Sequence, residues 1–322
     1  MPQINGLRPF IPLQPPQREI GHTQRIQNPK PQASDETQLH HVVFGVVASA
    51  KLWEHRKDYI KTWWRGNQTR GFVWLDKPVK RDAEDENSLP PVKISSDTLN
   101  FKYTYKKGDR STIRISRIVS KTVKLGIEDV RSIMLGDDDT VFILDNVVRV
   151  LRKYDHKQFC YIGSSSESHI QNIEFSMNMA YGGGFAISYP LAKALAKIQD
   201  QCIQRYPELY GLDDRIQACM AELGVPLTKE IGFHQIDVYG NVFGLLAAHP
   251  IAPLVSLHHL DVIDPIFPNV NQVEALQRLK TACEYVRFEK AEYSECKGGE
   301  ADPSQIHRVE VRKKPNPNMW DK

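Results

Sequence analysis

No stretch of this chain approaches the roughly 18 consecutive apolar residues that a membrane-spanning helix needs. The longest candidate, Val42 to Ala50, has the length of a buried strand. The amino terminus, MPQINGLRPFIPLQPPQ, carries neither a basic leader nor a long apolar core, so it does not read as a signal peptide. Massed positive charge is also missing: 42 Lys and Arg are interleaved with 39 Asp and Glu, for a formal net charge of +3. Phosphate-backbone binding uses clustered cations, so no nucleic-acid partner is expected. Cysteine is scarce. Cys160, Cys202, Cys219, Cys283 and Cys296 show none of the close paired spacings of a zinc site, and an odd number leaves one over if the rest bridge. There is no internal repeat.

What the chain does have is a core. With 322 residues, 41% hydrophobic and 25% charged, it has the composition of a soluble globular protein able to bury one sizeable core. Residues 1–38 are rich in Pro, Gln and Asn without periodicity and read as a disordered arm or stem. From Leu39 the pattern changes. HVVFGVVASA is a β-branched run suited to a strand buried on both faces, and KLWEHRKDYIKTWWR places Leu52, Trp53, Ile60, Trp63 and Trp64 on one side of a helix. GFVWL is a second strand, and the charged, proline-closed segment 76–91 reads as a surface loop.

Apolar spacing predicts a helix over 113–125 closed by Gly126, a strand in RSIML, a helix in ILDNVVRVLRKY and a strand in FCYIG. GGGFAISY reads as a strand entered through glycines, followed by a helix with Pro190 in its first turn, and DDRIQACMAELG as a further helix. After Pro268, QVEALQRLKTACEYV is one amphipathic helix, and from Arg287 the chain is polar. Strand and helix alternate, which predicts an α/β sheet with crossover connections.

Four places could carry chemistry. Asp137, Asp138 and Asp139 follow a strand, where ligands of α/β sheets collect, and adjacent carboxylates there suit a hard cation such as Mn²⁺ or Mg²⁺. The simpler reading is a solvated loop in which one Asp caps the next helix. Asp213 and Asp214 open a helix, as an N-cap or as a general base held ionised by the helix dipole. His258 and His259, in SLHHLD, are metal ligands or ordinary histidines. YGGGFAIS is a flexible turn, or a backbone that must approach a bulky ligand without a Cβ in the way.

The order of these elements is more specific than any one of them. RKDYIKTW, GDDD, GGGF, GLDD and HHLD, in that sequence, resemble the fringe-type β-1,3-glycosyltransferases. YIGSSSESHIQN and LVSLHHLDVIDPIFP are similar to stretches of the fringe-related glycosyltransferase-like proteins of plants, and the resemblance spans roughly Leu39 to Pro268. It implies a single GT-A-like (Rossmann-like) α/β domain over 39–268, with a mixed, mostly parallel sheet and flanking helices. Residues 269–322 would be a helix and a tail shortened relative to those proteins.

The resemblance also implies roles. Arg56, Tyr59, Thr62 and Trp63 match a pattern closing the first helix near the nucleotide. Asp137 would lie toward the ribose and metal and Asp139 would ligate Mn²⁺ (or Mg²⁺), with Asp138 assisting, while Gly182, Gly184 and Phe185 would line the site. The base would be Asp214 or Asp213, with Asp214 favoured. A metal-ligating histidine falls on His259, with His258 one residue off. Ala218 stands where the family has Gly and Arg215 where an apolar residue is frequent, and both departures bear on acceptor choice.

The expected partners are a UDP-sugar donor and a glycan, glycoprotein or small-molecule acceptor. The expected place is the Golgi or secretory lumen, reached in that family through an amino-terminal membrane anchor not visible in this chain. Cys202 and Cys219, flanking the helix pair around Asp213, would bridge in an oxidising lumen or stay reduced in the core. Two other functions fit the same motifs: a nucleotide-sugar or glycan binding protein without turnover, and a metal-dependent phosphohydrolase.

Overall fold

A computed structural model describes residues 36–248 and 252–285, with the backbone alone considered over 281–285. The elements in chain order are β1 (Val42–Val47), α1 (Trp53–Trp63), β2 (Arg70–Leu75), α2 (Ala83–Ser88), β3 (Val92–Ile94), α3 (Ser111–Ser116) and α4 (Ile118–Val123). Then follow β4 (Ser132–Asp137), β5 (Val141–Phe142), α5 (Leu144–Leu151), β6 (Tyr161–Gly163), α6 (His169–Glu174), β7 (Phe185–Ser188), α7 (Tyr189–Arg205) and α8 (Leu212–Glu222). The described chain ends with β8 (Leu227–Lys229), β9 (Phe233–His234), α9 (Phe243–Ala247), β10 (Ser256–Leu257) and α10 (Gln272–Tyr285).

The central sheet has seven strands in the order β3-β2-β1-β4-β7-β6-β8. β1 pairs parallel with β2 and β4, β2 with β3, and β6 with β8; β7 alone runs antiparallel to both its neighbours. This is the α/β sheet that the alternating pattern predicts, mixed and mostly parallel as the resemblance implies.

β1 is buried at all six positions, as its unbroken β-branched run requires, because helices cover both faces of the sheet. On one side Phe44, Val46, Met134 and Ala186 pack with Trp53, Ile60 and Trp63 of α1. On the other, Val47, Ile133, Leu135, Phe185 and Ile187 pack with Ile118, Leu191, Leu195, Ile216 and Met220. α10 closes the first layer, burying Ala275 and Leu276, and Lys280 Nζ donates to the Thr62 carbonyl at 3.0 Å.

Three features depart from the local pattern. Segment 76–91, expected as a surface loop, contains α2. Asp82 caps it by accepting from the Asp85 N–H at 2.8 Å, and Asp85 is buried beneath Lys57 and Lys61, each 2.9 Å away. The helix expected over 113–125 is two helices that meet at Arg117, whose guanidinium is drawn to Asp200 on α7 at 2.7 and 2.9 Å. Residues 252–255, whose proline-punctuated apolar run suits a strand, are irregular: β10 is Ser256–Leu257, and residues 249–251 lie outside the described chain. Of the arm expected over 1–38, residues 1–35 lie outside it as well, as do residues 286–322 of the segment expected over 269–322. No helix among the described residues is long and apolar enough to cross a membrane.

A second, small sheet, β5-β10-β9, matters more for function than its length suggests. Val141 and Phe142 pair antiparallel with Leu257 and Ser256, which pair parallel with His234 and Phe233. Three segments far apart in sequence thereby come together at one end of the central sheet.

Candidate functional site

β1 has β2 on one side and β4 on the other, so the crossovers diverge there and leave a crevice beyond the carboxyl ends of β1 and β4. Ligands of open α/β sheets bind at such a point. Asp137, Asp138 and Asp139 turn off the end of β4 into this crevice. The turn is held by the Thr140 N–H donating to the Asp137 carbonyl at 3.0 Å, and by Thr140 Oγ1, which accepts from the Asp137 N–H and donates to the Gly182 carbonyl. Because β7 runs opposite to β4, with Phe185 beside Leu135, the glycines that enter β7 lie at the same end.

α1 supplies the counter-charge. Trp63 is buried against Phe142 and Phe44, and its indole donates to the Thr140 carbonyl at 3.1 Å, which locks the helix to the aspartate turn. Two turns earlier, Arg56 reaches Asp138 at 3.0 Å, Asp139 at 3.2 Å and Asp261 at 3.7 Å, and Tyr59 donates to Asp261. Arg56 therefore binds the acidic turn itself.

The small sheet delivers the histidines. His258 Nε2 stands 2.9 Å from Asp139 Oδ1 and 3.6 Å from Asp137 Oδ2, and His258 and Asp139 are both almost fully buried. His259 stacks on His258 with ring centres 3.8 Å apart and takes a left-handed backbone, φ 53°. One ligand atom each from Asp139, His258 and His259 lies within 4.8 Å of the others. The expectation centred on His259; the fold brings both histidines to Asp139.

Gly182 completes the wall: a Cβ there would stand 2.9 Å from Asp137 Oδ2 and 2.9 Å from His258 Cε1. Gly184 holds φ 104°, where only glycine is at ease. Phe185 is part of the core, 2% exposed and packed edge-on against Tyr161.

Charges in the crevice are unequal. Burial, together with Asp139, Asp213 and Asp138, holds the Asp137 carboxyl well above the usual carboxylate range. Burial pushes Asp138 up to about 6 against the opposing pull of Arg56. Burial also opposes ionisation of Asp139, but His258 and Arg56 outweigh it and lower that carboxyl to about 2. Neither Asp139 oxygen has a well-aligned hydrogen-bond donor. An ionised, buried carboxylate with ion-pair neighbours but no aligned donor, beside a second carboxylate and two imidazoles, is a donor set that fits a divalent metal.

The acidic pair at the start of α8 divides. Asp214 accepts from the Tyr210 N–H at 2.6 Å and the Gly211 N–H at 3.0 Å, so its carboxylate closes the helix terminus. Asp213 has a buried oxygen without a partner, and burial, Asp214 and Asp237 hold its carboxyl well above the usual range, raising its proton affinity where the helix dipole was expected to favour the ionised form. Arg215, buried, clamps the preceding loop by donating to the Gly211 and Leu209 carbonyls. A disulfide joins Cys202 on α7 to Cys219 on α8, with 5.8 Å between their Cα atoms.

Sequence reasoning missed Gln235 and Asp237. Gln235 Oε1 accepts from the Gly183 N–H and meets His258 Nδ1 at 3.1 Å. Asp237 Oδ1 meets His259 Nδ1 at 2.8 Å, and its Oδ2 accepts from Ser166. Ile236 between them is buried with φ 54°, a left-handed conformation costing a side-chain-bearing residue about 1–2 kcal/mol. No local pattern marks this segment, because its partners are contributed by other strands.

Residues 171–285 match a family model described as "Protein of unknown function, DUF604". No curated protein matches the chain. Among solved structures, an active-site mutant of LgtC is similar with a TM-score of 0.42 and 11% identity, over 75% of this chain and 95% of that one. Galactosyltransferase LgtC in complex with donor and acceptor sugar analogs gives 0.40 and 13% over the same shares. A glycosyltransferase involved in the glycosylation of the major capsid of PBCV-1 gives 0.34 and 9%, over 74% of this chain and 99% of that one. At such scores the likeness bears on neither substrate nor mechanism.

Proposed function

We propose that the chain is an inverting, metal-dependent glycosyltransferase that moves a hexosyl unit from a UDP-sugar to a hydroxyl of a glycan, glycoprotein or small molecule, forming a β-1,3 link. The observation that carries this reading is the meeting of Asp137, Asp139, His258 and His259 at the carboxyl end of β4, beside the bare backbone of Gly182. Those four side chains would hold Mn²⁺ or Mg²⁺, which supplies positive charge against the diphosphate leaving group.

The remaining work falls to the chain itself. Arg56 balances the charge of Asp138 and Asp139, so the turn stays folded with its carboxylates converging. Gly182, with no Cβ, lets Asp137 and His258 close in on the metal position. Asp213, with its unpartnered oxygen, is the general base: it takes the acceptor hydroxyl's proton as that oxygen attacks the anomeric carbon and the bond to the diphosphate breaks. A single carboxylate on the attacking face gives inversion, whereas retention by double displacement needs a second, nucleophilic one. The Cys202–Cys219 bridge supports an oxidising, secretory compartment.

Calorimetric titration with UDP tests the donor site. Binding that requires Mn²⁺, vanishes with EDTA and is lost in Asp139→Ala is expected; no binding by a folded wild-type chain would overturn the reading. The engagement of Asp214 as a helix cap favours one second reading, nucleotide-sugar binding without turnover. UDP-sugar binding with no transfer or hydrolysis over a broad acceptor screen would select it.

A further inference from the structure

We infer that Gln235 and Asp237 are positioning residues that set the tautomers of His258 and His259, so that both rings present an Nε2 lone pair to one cation beside Asp139. The inference rests on the metal site proposed above and adds to it two residues and a reason for the chain's strain at Ile236.

A backbone N–H can only donate, so the Gln235 atom facing the Gly183 N–H is the carbonyl oxygen. That same oxygen faces His258 Nδ1 at 3.1 Å, which obliges Nδ1 to carry the hydrogen. A neutral His258 then has a lone pair on Nε2, pointing at carboxylate oxygens 2.9 and 3.6 Å away. A shared cation would turn that nitrogen and both carboxylates into ligands.

His259 repeats the arrangement. Its Nδ1 lies 2.8 Å from Asp237 Oδ1, a carboxylate that Ser166 also supports, so Nδ1 donates and Nε2 is left as the ligand nitrogen. Metal-binding histidines are generally oriented by such a carboxylate or carbonyl on the far nitrogen. Gln235 Nε2, 3.3 Å from Asp237 Oδ1, couples the two supports. The left-handed Ile236 separates them, which is a backbone the surrounding structure must enforce.

The other His/Asp cluster among the described residues has the opposite wiring. His40, His41 and Asp129 also gather potential ligand atoms. There the Gln38 N–H donates to His41 Nδ1 at 2.9 Å, so a neutral His41 carries its hydrogen on Nε2, the nitrogen 3.5 Å from Asp129. That nitrogen has no lone pair for a cation. Of the two clusters among the described residues, the wiring therefore assigns a metal to one.

The test combines metal titration with direct observation of the tautomers. Mn²⁺ alone is titrated into the full chain by calorimetry, and long-range ¹H–¹⁵N NMR on the metal-free, histidine-labelled chain reports which ring nitrogen is protonated. Wild type should bind one Mn²⁺ per chain and show Nδ1–H on His258 and His259. Gln235→Leu should lose the Nδ1–H signature of His258 alone, Asp237→Ala that of His259 alone, and each should weaken Mn²⁺ about 10- to 100-fold. Gln235→Glu, which keeps an acceptor oxygen, should keep the His258 signature, and His41→Ala should bind Mn²⁺ like wild type.

Wild-type Mn²⁺ affinity in folded Gln235→Leu and Asp237→Ala overturns the inference, as does Nε2–H without Nδ1–H on His258 or His259 in wild type. If the wild-type chain takes up no Mn²⁺, the metal reading falls and the wild-type tautomers decide the positioning roles. That readout needs no variant to fold.

Discussion

Replacing Gly182 with alanine is the most discriminating single change. The added Cβ would stand 2.9 Å from both Asp137 Oδ2 and His258 Cε1. Ordinary contact begins about 0.5 Å farther out, so both neighbours must move by something near that amount. Asp137 can swing, but His258 is held by Gln235 on one side and faces Asp139 on the other. Metal sites tolerate ligand displacements of only about 0.2 Å, so we expect Mn²⁺ affinity to fall at least tenfold, about 1.4 kcal/mol.

Fold stability should change far less. The backbone of Gly182 is not left-handed, and trading glycine for alanine restricts the unfolded chain, a gain of about 0.4–1 kcal/mol that offsets local crowding. The assay is Mn²⁺ calorimetry beside thermal unfolding of the same samples. Wild-type affinity in a chain that melts at the wild-type temperature would refute the argument that Gly182 is kept bare by the metal position.

Four other changes separate chemistry from architecture. Asp213→Asn should lower transfer about 10²- to 10⁴-fold with UDP binding intact, whereas Asp214→Ala should leave transfer measurable and cost about 1 kcal/mol of stability as a lost helix cap, read by turnover and urea unfolding in parallel. Asp85→Asn should destabilise by about 1–3 kcal/mol. Burial opposes ionisation of Asp85, but Lys61 and Lys57 prevail and hold its carboxyl below the usual range. The difference from wild type should thus be complete above about pH 4, the unfolded carboxylate value, and shrink as pH falls through the lower native value; urea melts at pH 6 and pH 3 check the sign. Cys202→Ser should cost about 2–4 kcal/mol, and reductant should lower the wild-type melting temperature toward that of the variant.

Buried strands and amphipathic helices are legible in the chain because each is written in residues a few positions apart. The unbroken run of β1, the tryptophan stripe of α1 and the alternation of strand and helix suffice to predict an α/β sheet with crossover connections. The aspartate turn, the glycines and the two histidines stand out for the same reason, as dense local clusters of unusual residue types. Tertiary structure decided how they meet. Because β7 runs antiparallel, its glycines arrive at the aspartates, and because two-residue strands pair Leu257 with Val141 and His234, His258 reaches Asp139 while Gln235 and Asp237 reach the histidines. The division between Asp213 and Asp214 is of this kind too, since only the path of the loop before α8 brings backbone N–H groups to one carboxylate and leaves the other bare. Periodicity reports which side of an element is apolar, but contacts made across a hundred residues depend on strand direction and register, which no local pattern encodes.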